Sequence, residues 1–139
     1  MNKKVIICSL IIFSLLSCEK EEGEGGQATL KGKVIYRELY SNAFLGIKDS
    51  IIAEYPFADE RVYLSYGDND IYDDDFRTDY KGEYKFVGLR KGTYTVYSNP
   101  PCKNCEKEVE PAKQTVEITE GKGTTEVPTI YIYPEQSNK

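Results

Sequence analysis

Thr78-Asp79-Tyr80-Lys81-Gly82-Glu83-Tyr84-Lys85-Phe86, followed by Leu89, Gly92, Tyr94 and Val96, is the stretch whose reading decides the fold. Tyr84 and Phe86 alternate with Glu83 and Lys85, and Tyr94 and Val96 alternate with Thr93, Thr95 and Tyr97. That period of two marks strands with one face buried. Ahead of them Asp79 can hydrogen-bond the backbone of a tight turn, and Gly82 can take a positive φ. Tyr84, Phe86, Leu89, Tyr94 and Val96 are therefore expected in the core, as folding residues and not as site residues.

The same alternation extends in both directions. From Thr29, Leu30, Val34 and Tyr36 fall on one side of a strand and Lys31, Lys33 and Arg37 on the other. Val62, Leu64 and Tyr66 alternate with Tyr63 and Ser65. Val116 and Ile118 make a short strand, Glu120-Gly121-Lys122-Gly123 reads as a turn, and Val127 to Tyr133 closes the domain with Ile130 and Ile132 inward, up to Pro134. Twelve tyrosines, frequent valine and threonine and a single methionine favour sheet over helix. Short strands between turn signals, with no long 3.6-residue period, predict two sheets packed face to face, a small barrel being the alternative.

The pattern T-D-x-x-G-x-Y-x-F-x-x-L-x-x-G-x-Y-x-V over Thr78 to Val96 resembles the carboxypeptidase regulatory-like domains. These group with the transthyretin-like and Cna B-type sandwiches. The resemblance implies an all-β Greek-key β-sandwich of about seven strands over residues 27–134, serving as an accessory, stalk or adhesion module and not as an enzyme. Two departures stand out. Glu38 to Glu60 is longer than the family's usual connection, which ends near a proline such as Pro56. Phe44, Ile47, Ile51 and Ile52 suggest that it packs, as an extra hairpin or as a functional loop. The Lys-Asn crosslink of some Cna B-type domains is not expected either, since Lys33 finds no asparagine in the last strand before Asn138.

Upstream, Asn2-Lys3-Lys4 and the twelve mostly apolar residues Val5 to Leu16 read as a signal peptide over residues 1–17. The run is too short for a permanent span of a bilayer core of roughly 30 Å. Leu15-Leu16-Ser17-Cys18 resembles the lipobox of bacterial lipoproteins, which implies cleavage before Cys18 and a lipid on its thiol. Cys8 is a filler of the apolar run. Residues 18–26 are charged and glycine-rich and are expected to be a flexible tether. Lys20-Glu21-Glu22 looks like the acidic export signal of Bacteroidetes lipoproteins, which implies display on the cell surface at the outer membrane. A plain spacer on a periplasm-facing anchor is the other reading.

Composition closes several routes. Without Lys3 and Lys4 the chain keeps 16 basic against 23 acidic side chains, a formal charge of −7, which disfavours nucleic acid as a partner. With no histidine there is no Ser-His-Asp or Cys-His arrangement.

Three residue groups remain as candidate sites. Cys102 and Cys105 are the thiols left after processing besides Cys18; outside the cytoplasm a disulfide is expected, with a redox or metal-dependent role as the rival. Asp68, Asp70 and Asp73, with Asp74 and Asp75, form an acidic run that reads either as a solvated loop or as a calcium site, and the spacing is not that of an EF-hand. Tyr63, Tyr97, Tyr131 and Tyr133 point away from the expected core and can stack sugars or grip a protein, or simply belong to strand surfaces. The expectation is a non-catalytic, lipid-anchored module that binds a protein or polysaccharide, with no cofactor other than possible calcium, a C-terminal tail over residues 135–139, and a pure spacer as the structural alternative.

Overall fold

The computed structural model describes residues 21–67, 69, 71–99 and 111–133. Within them the chain forms nine strands: β1 (Glu24–Asn42), β2 (Ile47–Pro56), β3 (Arg61–Tyr66), β4 (Asp74–Arg77), β5 (Glu83–Leu89), β6 (Gly92–Ser98), β7 (Ala112–Ile118), β8 (Lys122–Glu126) and β9 (Ile130–Ile132). The fold is an all-β sandwich. One sheet runs β4-β3-β6-β7, antiparallel throughout. The other is built on the long β1. Its first half is flanked by antiparallel β5 and parallel β8, and its second half by antiparallel β2 and parallel β9.

Leu30, Val34, Tyr84, Phe86 and Leu89 from one sheet meet Val62, Leu64, Tyr94, Val96 and Ile118 from the other, and Ile130 and Ile132 complete the buried set. Each fully buried aliphatic or aromatic side chain contributes roughly 1.5–3 kcal/mol. Alternation predicted this face correctly strand by strand.

The turn before β5 is held as its residues require. The Asp79 carboxylate accepts from the backbone N–H of Lys81 at 2.8 Å and of Glu83 at 2.9 Å. Gly82 has φ 72, and a Cβ there would overlap the Val34 carbonyl. Its own carbonyl accepts from the Val34 N–H at 2.8 Å, so the turn is tied to β1 as well as to itself. Thr78 is buried. Its hydroxyl donates to the Phe57 carbonyl at 2.6 Å and accepts from the Glu60 N–H at 2.9 Å, which pins the chain entering β3.

Four expectations need correction. The strand count is nine, because Glu38 to Glu60 adds a hairpin and Val127-Pro128-Thr129 separates β8 from β9, proline lacking the N–H that a ladder needs. Lys122 and Gly123, read as turn, open β8. The chain crosses from one sheet to the other at Glu120-Gly121, so β8 and β9 run parallel to β1. The tether expected through Gly26 gives way earlier: Gly23 donates its N–H to the Tyr94 hydroxyl at 2.9 Å and accepts from the Arg90 N–H at 2.9 Å, and Glu24 already pairs with Leu89. Here the glycines serve close approach, since a Cβ at Gly26 would overlap the Leu89 carbonyl. The last correction concerns the insertion's apolar residues, which define the surface described next.

Candidate interaction surfaces

The insertion is a hairpin, made by the second half of β1, a 3-10 turn at Ala43–Leu45, and β2. Its apolar side chains do not pack as expected. Phe44 is 95% exposed, Leu45 62%, Ile52 58% and Ile51 49%, and Tyr40 and Tyr55 are exposed as well. Leu39 pairs with Ile51, and a bulge leaves Ile52 as an extra residue on β2, so three aliphatic side chains gather at one point of the ribbon. At its root, Tyr36 stacks on Tyr55 with ring centroids 5.3 Å apart and packs against Phe57 at 5.2 Å, joining the ribbon to the core.

The four tyrosines singled out from the sequence fall into two groups on different sheets. Tyr63 of β3 and Tyr97 of β6 are register partners, stacked at 5.2 Å, and Tyr72 leans on Tyr63 at 4.9 Å. Burial in this cluster pushes the Tyr97 hydroxyl above the ordinary phenol range. On the other sheet the Arg37 guanidinium lies 3.5 Å from the ring centre of Tyr131 and donates to the Tyr133 hydroxyl at 2.8 Å, while its Nε pairs with Glu54. In both groups the rings contact one another or Arg37. A sugar-stacking platform needs ring faces turned to solvent; Tyr63 and Tyr97 stack on one another and are half-buried, whereas Tyr72, Tyr131 and Tyr133 are exposed.

Asp73 is committed locally: its carboxylate accepts from the Tyr66 N–H at 2.7 Å, and its own N–H donates to the Leu64 carbonyl at 2.8 Å. Asp75 faces Arg61 at 3.7 Å. Asp68 and Asp70 lie outside the described residues, as do Cys18, Cys102 and Cys105. Among the described residues no three acidic or thiol side chains are grouped to hold a metal ion.

Among the described residues, two grooves are prominent. One, about 540 Å³, is lined chiefly by Lys31, Lys33, Lys85, Asp79, Glu83 and Glu126, over Tyr84 and Phe76. The other, about 740 Å³, lies by Glu21, Glu22, Arg90, Lys91 and Glu117. Both mix acidic and basic side chains, and in the first Lys31 and Glu126 already pair at 2.8 Å.

No protein-family model matches the chain, and no curated protein does. Among solved structures it is similar to the crystal structure of a candidate carbohydrate binding protein from Pseudomonas aeruginosa. The two are 14% identical over 81% of this chain and 91% of that one, with a TM-score of 0.49. A likeness at that level identifies neither a site nor a ligand.

The sequence allowed an extra hairpin here but gave no sign of its exposed apolar surface. The hairpin's signal was present in Asn42 and Gly46 bracketing Ala43-Phe44-Leu45, a turn between two β-rich runs. Exposure of apolar residues on both faces of a ribbon leaves no trace in periodicity.

Proposed function

We propose that this chain is a lipid-anchored, non-catalytic module at the outer membrane that meets a protein partner through the β1–β2 hairpin. One observation carries the reading: of the twelve large hydrophobic side chains exposed among the described residues, six lie on this hairpin. Soluble domains rarely leave apolar residues gathered in this way unless something covers them. A protein is favoured over a polysaccharide because the exposed Leu45, Ile51 and Ile52 are aliphatic and offer a sugar neither a stacking face nor a hydrogen-bonding group. The lipobox-like Leu15-Leu16-Ser17-Cys18 supports the anchor. The Thr78 to Val96 motif supports kinship with carboxypeptidase regulatory-like modules, and the absence of histidine speaks against common acid–base catalysis.

The test is capture from intact native cells after crosslinking, comparing the native chain with Ile51→Asp and Ile52→Asp. A specific protein held by the native chain and released by both variants supports the reading, provided that the variants keep the native melting temperature. Equal capture by all three removes the hairpin from the interface. Radiolabelled palmitate incorporation that persists in Cys18→Ala would reject the anchor.

A further inference from the structure

The hairpin has two ways to bind: along its backbone edge, or through the side chains at its tip. The edge is the natural place for a partner strand to add, since β2 pairs only with β1 among the described residues. Three features block it. Ile52 is bulged, Asp49 sits at φ 50 beside a second register shift, and Pro56 has no N–H to offer. Bulges and prolines are the devices by which edge strands resist pairing.

The tip is built differently. Asn42 accepts from the Leu45 N–H at 3.1 Å, and its side-chain amide donates to the Tyr40 hydroxyl at 2.8 Å. Gly46 turns the chain at φ 67, and its N–H donates to the Ala43 carbonyl at 3.3 Å. Ser41 and Asp49 cross-link the two strands through a 2.9 Å side-chain bond and a 3.0 Å bond from the Asp49 N–H to the Ser41 hydroxyl. These bonds hold Phe44 and Leu45 outward before any partner arrives, which lowers the ordering cost of binding.

Position then selects the partner. Glu24 and Asn42 are the two ends of β1, whose 19 residues extend up to about 60 Å at the usual strand rise. Cys18 precedes Glu21 by three residues, at most about 10 Å of chain. An anchor on Cys18 therefore holds the opposite end of the domain from Phe44, and the tip is presented away from that membrane. A second copy held by the same membrane presents its own tip on the same side, away from its anchor. Tip-to-tip contact between copies would point their anchors in opposite directions.

We infer that the hairpin is the inserting member of its complex: Phe44 and Leu45 enter an apolar recess on a different protein, facing the end of this domain away from Cys18. This rests on the hairpin being the docking element.

The test places benzoylphenylalanine at position 44, and separately at Lys122 as an anchor-side control, in the full chain on native cells. The expected result is one adduct at position 44 whose linked peptide lies in an apolar recess of a different protein, and none at Lys122. With that protein purified, Phe44→Ala and Leu45→Ala should each weaken binding at least roughly tenfold, as central anchors do. Adducts at position 44 to lipid or to a second copy would overturn the inference, as would capture lost on Ile51→Asp with no effect of either tip variant. That last result would leave the hairpin reading standing, whereas capture unaffected by any of these variants would remove both.

Discussion

The Tyr84 hydroxyl is buried across the sheet from Gly32, its register partner on β1, and has no hydrogen-bond partner among the described residues. A Cβ on Gly32 would overlap that hydroxyl, so the glycine is what lets the ring lie flat beneath β1. Burial pushes the phenol well above its ordinary range. Tyr84→Phe removes an unsatisfied polar atom while keeping the ring. It should therefore be neutral or stabilise by up to about 1 kcal/mol. Gly32→Ala forces the ring aside and should cost about 1–3 kcal/mol. Denaturant unfolding of the two variants checks both signs, and a clear loss in Tyr84→Phe would mean the hydroxyl has a partner after all.

Asp79 accepts from two backbone amides in the turn that precedes β5. Asp79→Ala should cost about 1–2 kcal/mol by stranding them, and Asp79→Asn should recover part of it through its remaining carbonyl oxygen. Gly82→Ala should cost more, because it combines strain at φ 72 with an overlap on Val34. Urea midpoints at an unchanged m-value are the measurement.

These turn residues were legible in the sequence because their work is local: a carboxylate, a glycine and the strand they launch lie within a few positions. The core was legible for the same kind of reason, since Tyr84, Phe86, Tyr94 and Val96 repeat at the pleat's own period. What escaped was non-local. Nothing near Gly23 announces that its N–H will meet Tyr94, 71 residues away. The parallel course of β8 follows from a change of sheet at Glu120-Gly121, which reads in sequence like any other turn. Tyr63 and Tyr97 look equivalent to Tyr131 and Tyr133 until strand order puts them on different sheets.

Glu60 supplies a pH dependence. Desolvation raises its carboxyl above the ordinary value of 4.5, opposed by the Ser98 hydroxyl at 2.5 Å and by Arg77. The folded state thus holds this proton more tightly than the unfolded chain does. Its contribution is fully present below the unfolded value and is lost as pH rises through the folded one. Glu60→Gln keeps an acceptor for Ser98 and removes the titration. As pH rises from about 4, the native chain should lose stability relative to this variant until the folded-state carboxyl is ionised. Unfolding free energies at a series of pH values test it; parallel curves would assign the slope to other groups.

Tyr97 and Phe44 separate folding from association. Tyr97 stacks on Tyr63 across β3 and β6, and such cross-strand aromatic pairs contribute about 0.5–1.5 kcal/mol. Tyr97→Ala should lower the melting temperature, and a double-mutant cycle with Tyr63→Ala should return a coupling of about that size. Phe44, almost wholly exposed at the hairpin tip, has little native packing to lose. Phe44→Ala should leave the melting temperature within about 2 °C while releasing the crosslinked partner. The reverse pattern, with Tyr97→Ala releasing the partner at full stability, would move the interface to the outer face of the β4-β3-β6-β7 sheet.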